Sequence, residues 1–193
     1  MSDVRSRKIP NSPNTLPSRY YTDPEVFELE KAKIFHRSWT YVCHASQVAN
    51  PGGYMTADVV GQPVYVVRGR EGELRGFHNV CQHRAHQLLE GSGNVKALIT
   101  CPYHAWAYGM DGSLRTTRNC ENVKGFDKAD FGLPHVQVET VANLVFVNPD
   151  MDAAPIAGQA PNLEADIRPT CPTGTIWGWP RSTISAAARS MPA

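Results

Sequence analysis

Two short segments, Cys81-Gln82-His83 and Cys101-Pro102-Tyr103-His104, constrain this chain more than anything else in it. They place two thiol and two imidazole donors on either side of residues 84–100. In one kind of 2Fe-2S centre, one iron keeps two Cys thiolates and the other takes two His nitrogens. The two segments match that ligation, with each giving one ligand to each iron. Cys81 and Cys101 are then the candidate ligands of the inner iron, and His83 and His104 those of the outer one.

The spacing favours a cluster over a single ion. Structural zinc pairs leave two or more residues between chelating partners, because both side chains fold back onto one tetrahedral metal. Cys81 and His83 leave one. In extended backbone, residues i and i+2 point to the same side without converging on a point, which suits two metals set apart. Three other readings stand beside it: a Cys2His2 zinc site, a chance placement of unrelated residues, and a Cys81–Cys101 disulfide that leaves both histidines unexplained.

A chain of 193 residues holds one domain with a core and an extra tail. Lys plus Arg is 19 against Asp plus Glu of 18, a formal charge of +1, so there is no electrostatic footprint for nucleic acid. The N-terminus has no apolar signal region, and the longest apolar stretch, Leu144 to Val147, is too short to span a bilayer. The expectation is a cytoplasmic protein without a membrane segment. Cys43, Cys120 and Cys171 form no regular framework, which fits a reducing compartment, and read as small buried side chains or idle thiols.

Residues 1–18 are rich in Ser, Pro, Asn and Arg and read as a disordered N-terminal arm. Asp23-Pro24-Glu25 supplies an N-cap, a proline suited to the first turn and an early acid, so one helix is expected over 24–36. From Trp39 onward, short β-branched and aromatic runs are broken by Gly, Pro, Asn and Asp, the signature of antiparallel β-structure. Strands are predicted over 40–43, 54–60, 63–68, 74–79, 97–100, 113–115, 135–140 and 144–147. Turns are predicted at Pro51-Gly52-Gly53, Gly61-Gln62, Asp111-Gly112 and Ala142-Asn143. No internal repeat is visible. Both donor segments begin where a predicted strand ends, on loops held by a rigid sheet. The core domain therefore spans 19–148. Residues 149–193 read as an irregular tail in which Leu163 to Ile167 forms a turn or two of helix and Trp177 and Trp179 stay exposed.

Asn79-Val80-Cys81-Gln82-His83-Arg84 and Cys101-Pro102-Tyr103-His104-Ala105-Trp106-Ala107-Tyr108, followed by Asp111-Gly112, resemble the N-terminal half of the alpha subunit of Rieske non-haem iron oxygenases, the aromatic-ring-hydroxylating dioxygenase family. The resemblance covers residues 19–148. Ala85 and Ala105 stand where the family commonly has Gly. Tyr20-Tyr21-Thr22-Asp23-Pro24, Arg84-Ala85-His86 and Arg118-Asn119-Cys120-Glu121 are similar to the branch that oxygenates quaternary ammonium compounds such as glycine betaine, choline or carnitine.

The resemblance implies a mainly β fold, a Rieske 2Fe-2S domain of antiparallel sheets with one N-terminal helix. It also implies a separate catalytic domain with a mononuclear non-haem Fe(II), held by two His and one carboxylate, that is absent here. Among His36, His44, His78, His86 and His135 no such set is legible, so no catalytic residue is assigned, and His86 reads as a polar loop residue. A truncated or frameshifted reading of residues 149–193 follows as an expectation. The implied role is electron transfer from an NAD(P)H-dependent reductase or ferredoxin to a mononuclear iron that performs O2-dependent hydroxylation or demethylation, in a homo-oligomer, a trimer when full length. The alternative is a stand-alone Rieske ferredoxin. High-potential Rieske proteins carry an extra Cys in each loop and a Ser hydroxyl near the bridging sulfur, where this chain has Tyr103 and Trp106. The implied potential therefore sits at the low end of the Rieske range, roughly -150 mV, with Tyr108 as the remaining hydroxyl donor.

Overall fold

Asp23 opens the first long helix as its sequence predicts. In the computed structural model, which describes residues 16–118, 120 and 123–167, its carboxylate accepts a hydrogen bond from the Glu25 backbone N–H at 2.9 Å. Most of the predicted arm and residues 168–193, with Cys171, Trp177 and Trp179, lie outside the described residues. A short turn, α1 (Arg19–Thr22), precedes α2 (Pro24–Lys33). The α-helix ends earlier than expected. The Ser38 hydroxyl donates to the Ile34 carbonyl at 2.7 Å, and Phe35–Arg37 tighten into a 3-10 turn.

Among the described residues ten strands follow: β1 (Thr40–His44), β2 (Gly53–Asp58), β3 (Pro63–Arg68), β4 (Leu74–His78), β5 (Ser92–Asn94), β6 (Ile99–Thr100), β7 (Ala107–Tyr108), β8 (Leu114–Thr116), β9 (His135–Val141) and β10 (Leu144–Asn148). Seven form one antiparallel sheet in the order β1-β10-β9-β4-β3-β2-β5, and three a smaller one, β6-β7-β8. The mainly β expectation holds, and most predicted strands recur within two residues. The predicted strand 97–100 shrinks to Ile99–Thr100, and β5 and β7 were not predicted. β5 has no apolar residue to announce it. It exists because Gly93 lies opposite Tyr54, where a side chain would meet the phenol ring.

Strand β3 explains how the sheet is buried. Side chains alternate across a strand, so Tyr65 and Val67 enter one core while Val64 and Val66 enter another. The second core is mostly valine, with Cys43. Burial pushes that thiol up to about 11, so it sits protonated and inert as a small apolar side chain. The first core lies between the two sheets and contains Cys81, Cys101, Trp106 and Tyr108.

Inside the large sheet the β9–β10 hairpin turns through Ala142 and Asn143 at φ +48° and +65°, the two positive values a tight two-residue hairpin turn requires. Beyond Asn148 the chain stays on the sheet for several residues. Gln137 Nε2 donates to the carbonyls of Asp150, Met151 and Ala153, the Trp39 indole N–H donates to Ala154, and Ile156 is buried. The last described element is α4 (Leu163–Ile167), where a turn of helix was expected; α3 (Ile156–Gln159) precedes it. Among the described residues no helix is long and apolar enough to cross a membrane.

Candidate metal centre

Each donor segment is a tight loop at the end of a strand, and the two loops are built alike. In loop 81–86 the Cys81 N–H donates to the His86 carbonyl at 2.8 Å, and the Ala85 N–H donates to the Cys81 carbonyl at 2.9 Å. In loop 101–106 the Cys101 N–H donates to the Trp106 carbonyl at 2.8 Å, and the Ala105 N–H to the Cys101 carbonyl at 3.0 Å. Val80 pairs with Gln87 across the first loop and Thr100 with Ala107 across the second. Ala85 and Ala105 sit at φ +55° and +59°. That left-handed conformation favours glycine and accounts for the glycine common at both positions in similar loops. At matching positions the two loops share only Cys and Ala, so their common turn leaves no repeat visible in the sequence.

The four candidate donors come together as two pairs. Cys81 and Cys101 are each 2% exposed and are free thiols, so the disulfide reading fails. The His83 and His104 rings meet edge to face, 4.7 Å between centroids, on the outer side. Among the described residues no three His, Cys, Asp or Glu side chains gather where they could share one ion. His86 is exposed, its Nδ1 2.6 Å from the Gln87 carbonyl and its ring 5.6 Å from that of Tyr103.

Hydrogen-bond donors are aimed at the buried sulfur. The Tyr108 hydroxyl lies 3.4 Å from Cys81 Sγ and accepts the Gln82 backbone N–H at 3.0 Å. With that N–H as its donor, the phenol is left to give its own proton to the sulfur. Burial raises the Cys81 thiol and Cys101 adds to the rise, while the Tyr108 hydroxyl and His83 backbone N–H oppose it in part by favouring the thiolate. Desolvation lowers His83, as do the neighbouring His104 and Arg84, so its imidazole is neutral near pH 7 and free to ligate a metal.

Four buried side-chain polar atoms among the described residues lack a hydrogen-bond partner, His44 Nε2, Tyr65 Oη, Glu73 Oε2 and His104 Nδ1, and of these only the last belongs to a candidate donor. His104 Nδ1 is buried and has no hydrogen-bond partner, a costly state for an isolated side chain. A metal on that nitrogen removes the cost. With a buried thiol pair, a donor to one of its sulfurs and an adjacent imidazole pair, the residues fit a 2Fe-2S cluster of mixed ligation. The outer side opens into a groove of about 640 Å3 lined by His83, His104, Tyr103, Arg84, Arg118 and Cys120.

Sequence reasoning missed three supporting residues. Asn79 is buried, and its amide bonds the chain returning from loop 81–86: Nδ2 donates to the Leu89 carbonyl at 2.7 Å, and Oδ1 accepts from Leu88 and Leu89 N–H at 3.2 and 3.0 Å. Its place as the last residue of the predicted strand 74–79 was the available signal. Phe126 and Phe131 back Trp106, and nothing in their spacing announced it.

The Rieske [2Fe-2S] domain family matches residues 38–127. The chain is 48% identical over 158 residues to the carnitine monooxygenase oxygenase subunit of Escherichia coli K12, covering 82% of this chain and 42% of that protein. It is 34% identical over 134 residues to the glycine betaine monooxygenase oxygenase subunit of Pseudomonas aeruginosa UCBPP-PA14, covering 69% and 31%. A solved quaternary ammonium Rieske monooxygenase in complex with L-carnitine superposes with a TM-score of 0.80 at 43% identity, over 83% of this chain and 46% of that one. The chain spans less than half the length of these relatives.

Proposed function

The chain belongs to the Rieske non-haem iron oxygenase family, and from that premise we propose that it forms the electron-transfer part of a monooxygenase acting on a quaternary ammonium compound of the carnitine class. Cys81 and Cys101 hold the inner iron of its 2Fe-2S cluster, and His83 and His104 the outer. The observation that carries this is the buried, unpartnered His104 Nδ1 beside a second imidazole, on two loops that each also carry a buried free thiol. When bound, the cluster stores and releases one electron at a time.

The chain's own residues do the rest. Burial keeps water from the thiolates, while the Tyr108 hydroxyl favours the added negative charge of the reduced state. The exposed groove beside both imidazoles, with Arg84 and Arg118 on its wall, is the side on which electrons leave. The donor is an NAD(P)H-dependent reductase or ferredoxin, and the acceptor a mononuclear iron in the part of the relatives that this chain does not span. The full assembly is a cytoplasmic homotrimer, and residues 19–148 are its Rieske domain. The stand-alone ferredoxin reading is weaker, because the alignment to oxygenase subunits runs well beyond the Rieske span itself.

Anaerobic reconstitution tests the reading. The expected product is red-brown, with two irons and two acid-labile sulfides per chain, and is reduced by NAD(P)H through a reductase of a carnitine monooxygenase system. A colourless protein that retains zinc and takes up no iron would refute it.

A further inference from the structure

Trp106 makes contacts that the proposed function does not yet use. Its indole is 3% exposed and lies nearly parallel to the His83 imidazole, 4.8 Å between centroids at 13°. Behind it stand Phe131, 5.5 Å away at 90°, and Phe126, 5.8 Å away at 70°. Those two rings stack on each other at 4.9 Å. The indole therefore has little room to tilt.

His83 is the opposite case. It is exposed, it stands on a loop, and the torsion that turns an imidazole has a broad energy profile. The contacts that define its plane are aromatic: the Trp106 face on one side and the His104 ring at its edge. His104 is covered instead by Tyr103, whose ring lies 3.7 Å away and is 56% exposed. One imidazole leans on a locked wall and the other on a surface side chain.

We propose that Trp106 is a positioning residue for His83, fixing the plane of that imidazole and keeping water from its inner face. The proposal rests on His83 being an outer-iron ligand. The competing role for Trp106 is that of an ordinary core side chain, which would matter for stability alone. The two roles differ in what they do to the loaded centre. Reduction adds one negative charge, and water near the outer ligand favours it, so opening the wall draws the centre toward the reduced state. A freed imidazole also changes the coupling of its nitrogen to the unpaired electron.

The experiment compares W106L, W106F and F131L as reconstituted full chains. It reads the histidine nitrogen couplings of the reduced state by pulsed EPR and the ratio of reduced to oxidised centre at a fixed donor potential. W106L is expected to change one of the two histidine couplings, leave the other alone, and move the ratio toward reduced by about threefold or more. W106F keeps a stacking ring and is expected to restore most of the wild-type signature. If W106L loads with wild-type couplings and ratio, the proposal is wrong, whatever happens to its melting temperature. Should W106L take up no iron, F131L decides: a smaller shift in the same direction supports the wall, and wild-type values overturn it. A wild-type spectrum with fewer than two coupled histidine nitrogens would instead show that the ligand reading itself has failed.

Discussion

Loops 81–86 and 101–106 close through the same two hydrogen bonds and the same left-handed Ala, yet they hold their histidines at different steps. His83 is the third residue of its loop and His104 the fourth. What supports the loops differs more. Loop 101–106 runs straight into the small sheet, so β7 holds its return arm by backbone pairing. Loop 81–86 returns through an isolated bridge, and the Asn79 amide does the work that a strand does in its twin. One turn geometry can thus be repeated within a domain while its stability is drawn from a sheet in one copy and a side chain in the other.

The largest test of this comparison removes a ligand from each loop in turn. His83→Ala and His104→Ala should each abolish the wild-type reduced-state EPR signal, because each strips the outer iron of a nitrogen. An unchanged signal in either variant would break the equivalence of the two loops and the assignment with it. Removing iron and sulfide from the wild-type protein should loosen both loops together, seen as faster amide exchange at Ala85 and Ala105.

The Asn79 amide separates the loops. Asn79→Ala leaves two N–H groups and a carbonyl without their partner, and should cost about 3 kcal/mol in chemical denaturation. Hydrogen exchange should quicken at Leu88 and Leu89 and stay unchanged at Ala107. Equal loosening of both loops would show that Asn79 serves the whole domain and not one turn.

Tyr108→Phe acts on one sulfur. Deleting the hydroxyl removes a hydrogen bond that favours the reduced state, worth about 1 kcal/mol. Redox titration should then show a midpoint lower by about 40 mV for one electron. A rise in midpoint would contradict the donor role given to the phenol.

The smallest effect concerns the shared backbone. Ala85→Gly and Ala105→Gly relieve left-handed strain but enlarge the freedom of the unfolded chain, so each should gain at most about 1 kcal/mol. Similar gains in thermal unfolding would confirm that the turns are equivalent. A gain at one alone would show that the other Ala is held by its neighbours.

The cluster-type donor set was readable because it depends on residue identity and short spacing. Strands β3, β9 and β10 were readable because β-branched runs bounded by turn residues leave few other options. Strand β5 was not, since Ser92-Gly93-Asn94 forms only against a neighbour that needs its small side chains. The earlier end of α2 depended on a serine hydroxyl folding back to a carbonyl, a contact that no propensity encodes.

The sequence by itself determined the candidate donor set, that it divides into thiols and imidazoles, and that a β framework carries it. Only the tertiary structure decided that the thiols face inward, that the two loops are one turn used twice, and that Trp106 lies against His83 while Tyr103 lies against His104. The reason is range. Ligand chemistry belongs to single side chains a few residues apart, whereas burial, pairing and ring stacking join residues from different strands, and which of these meet is settled only when the sheets pack.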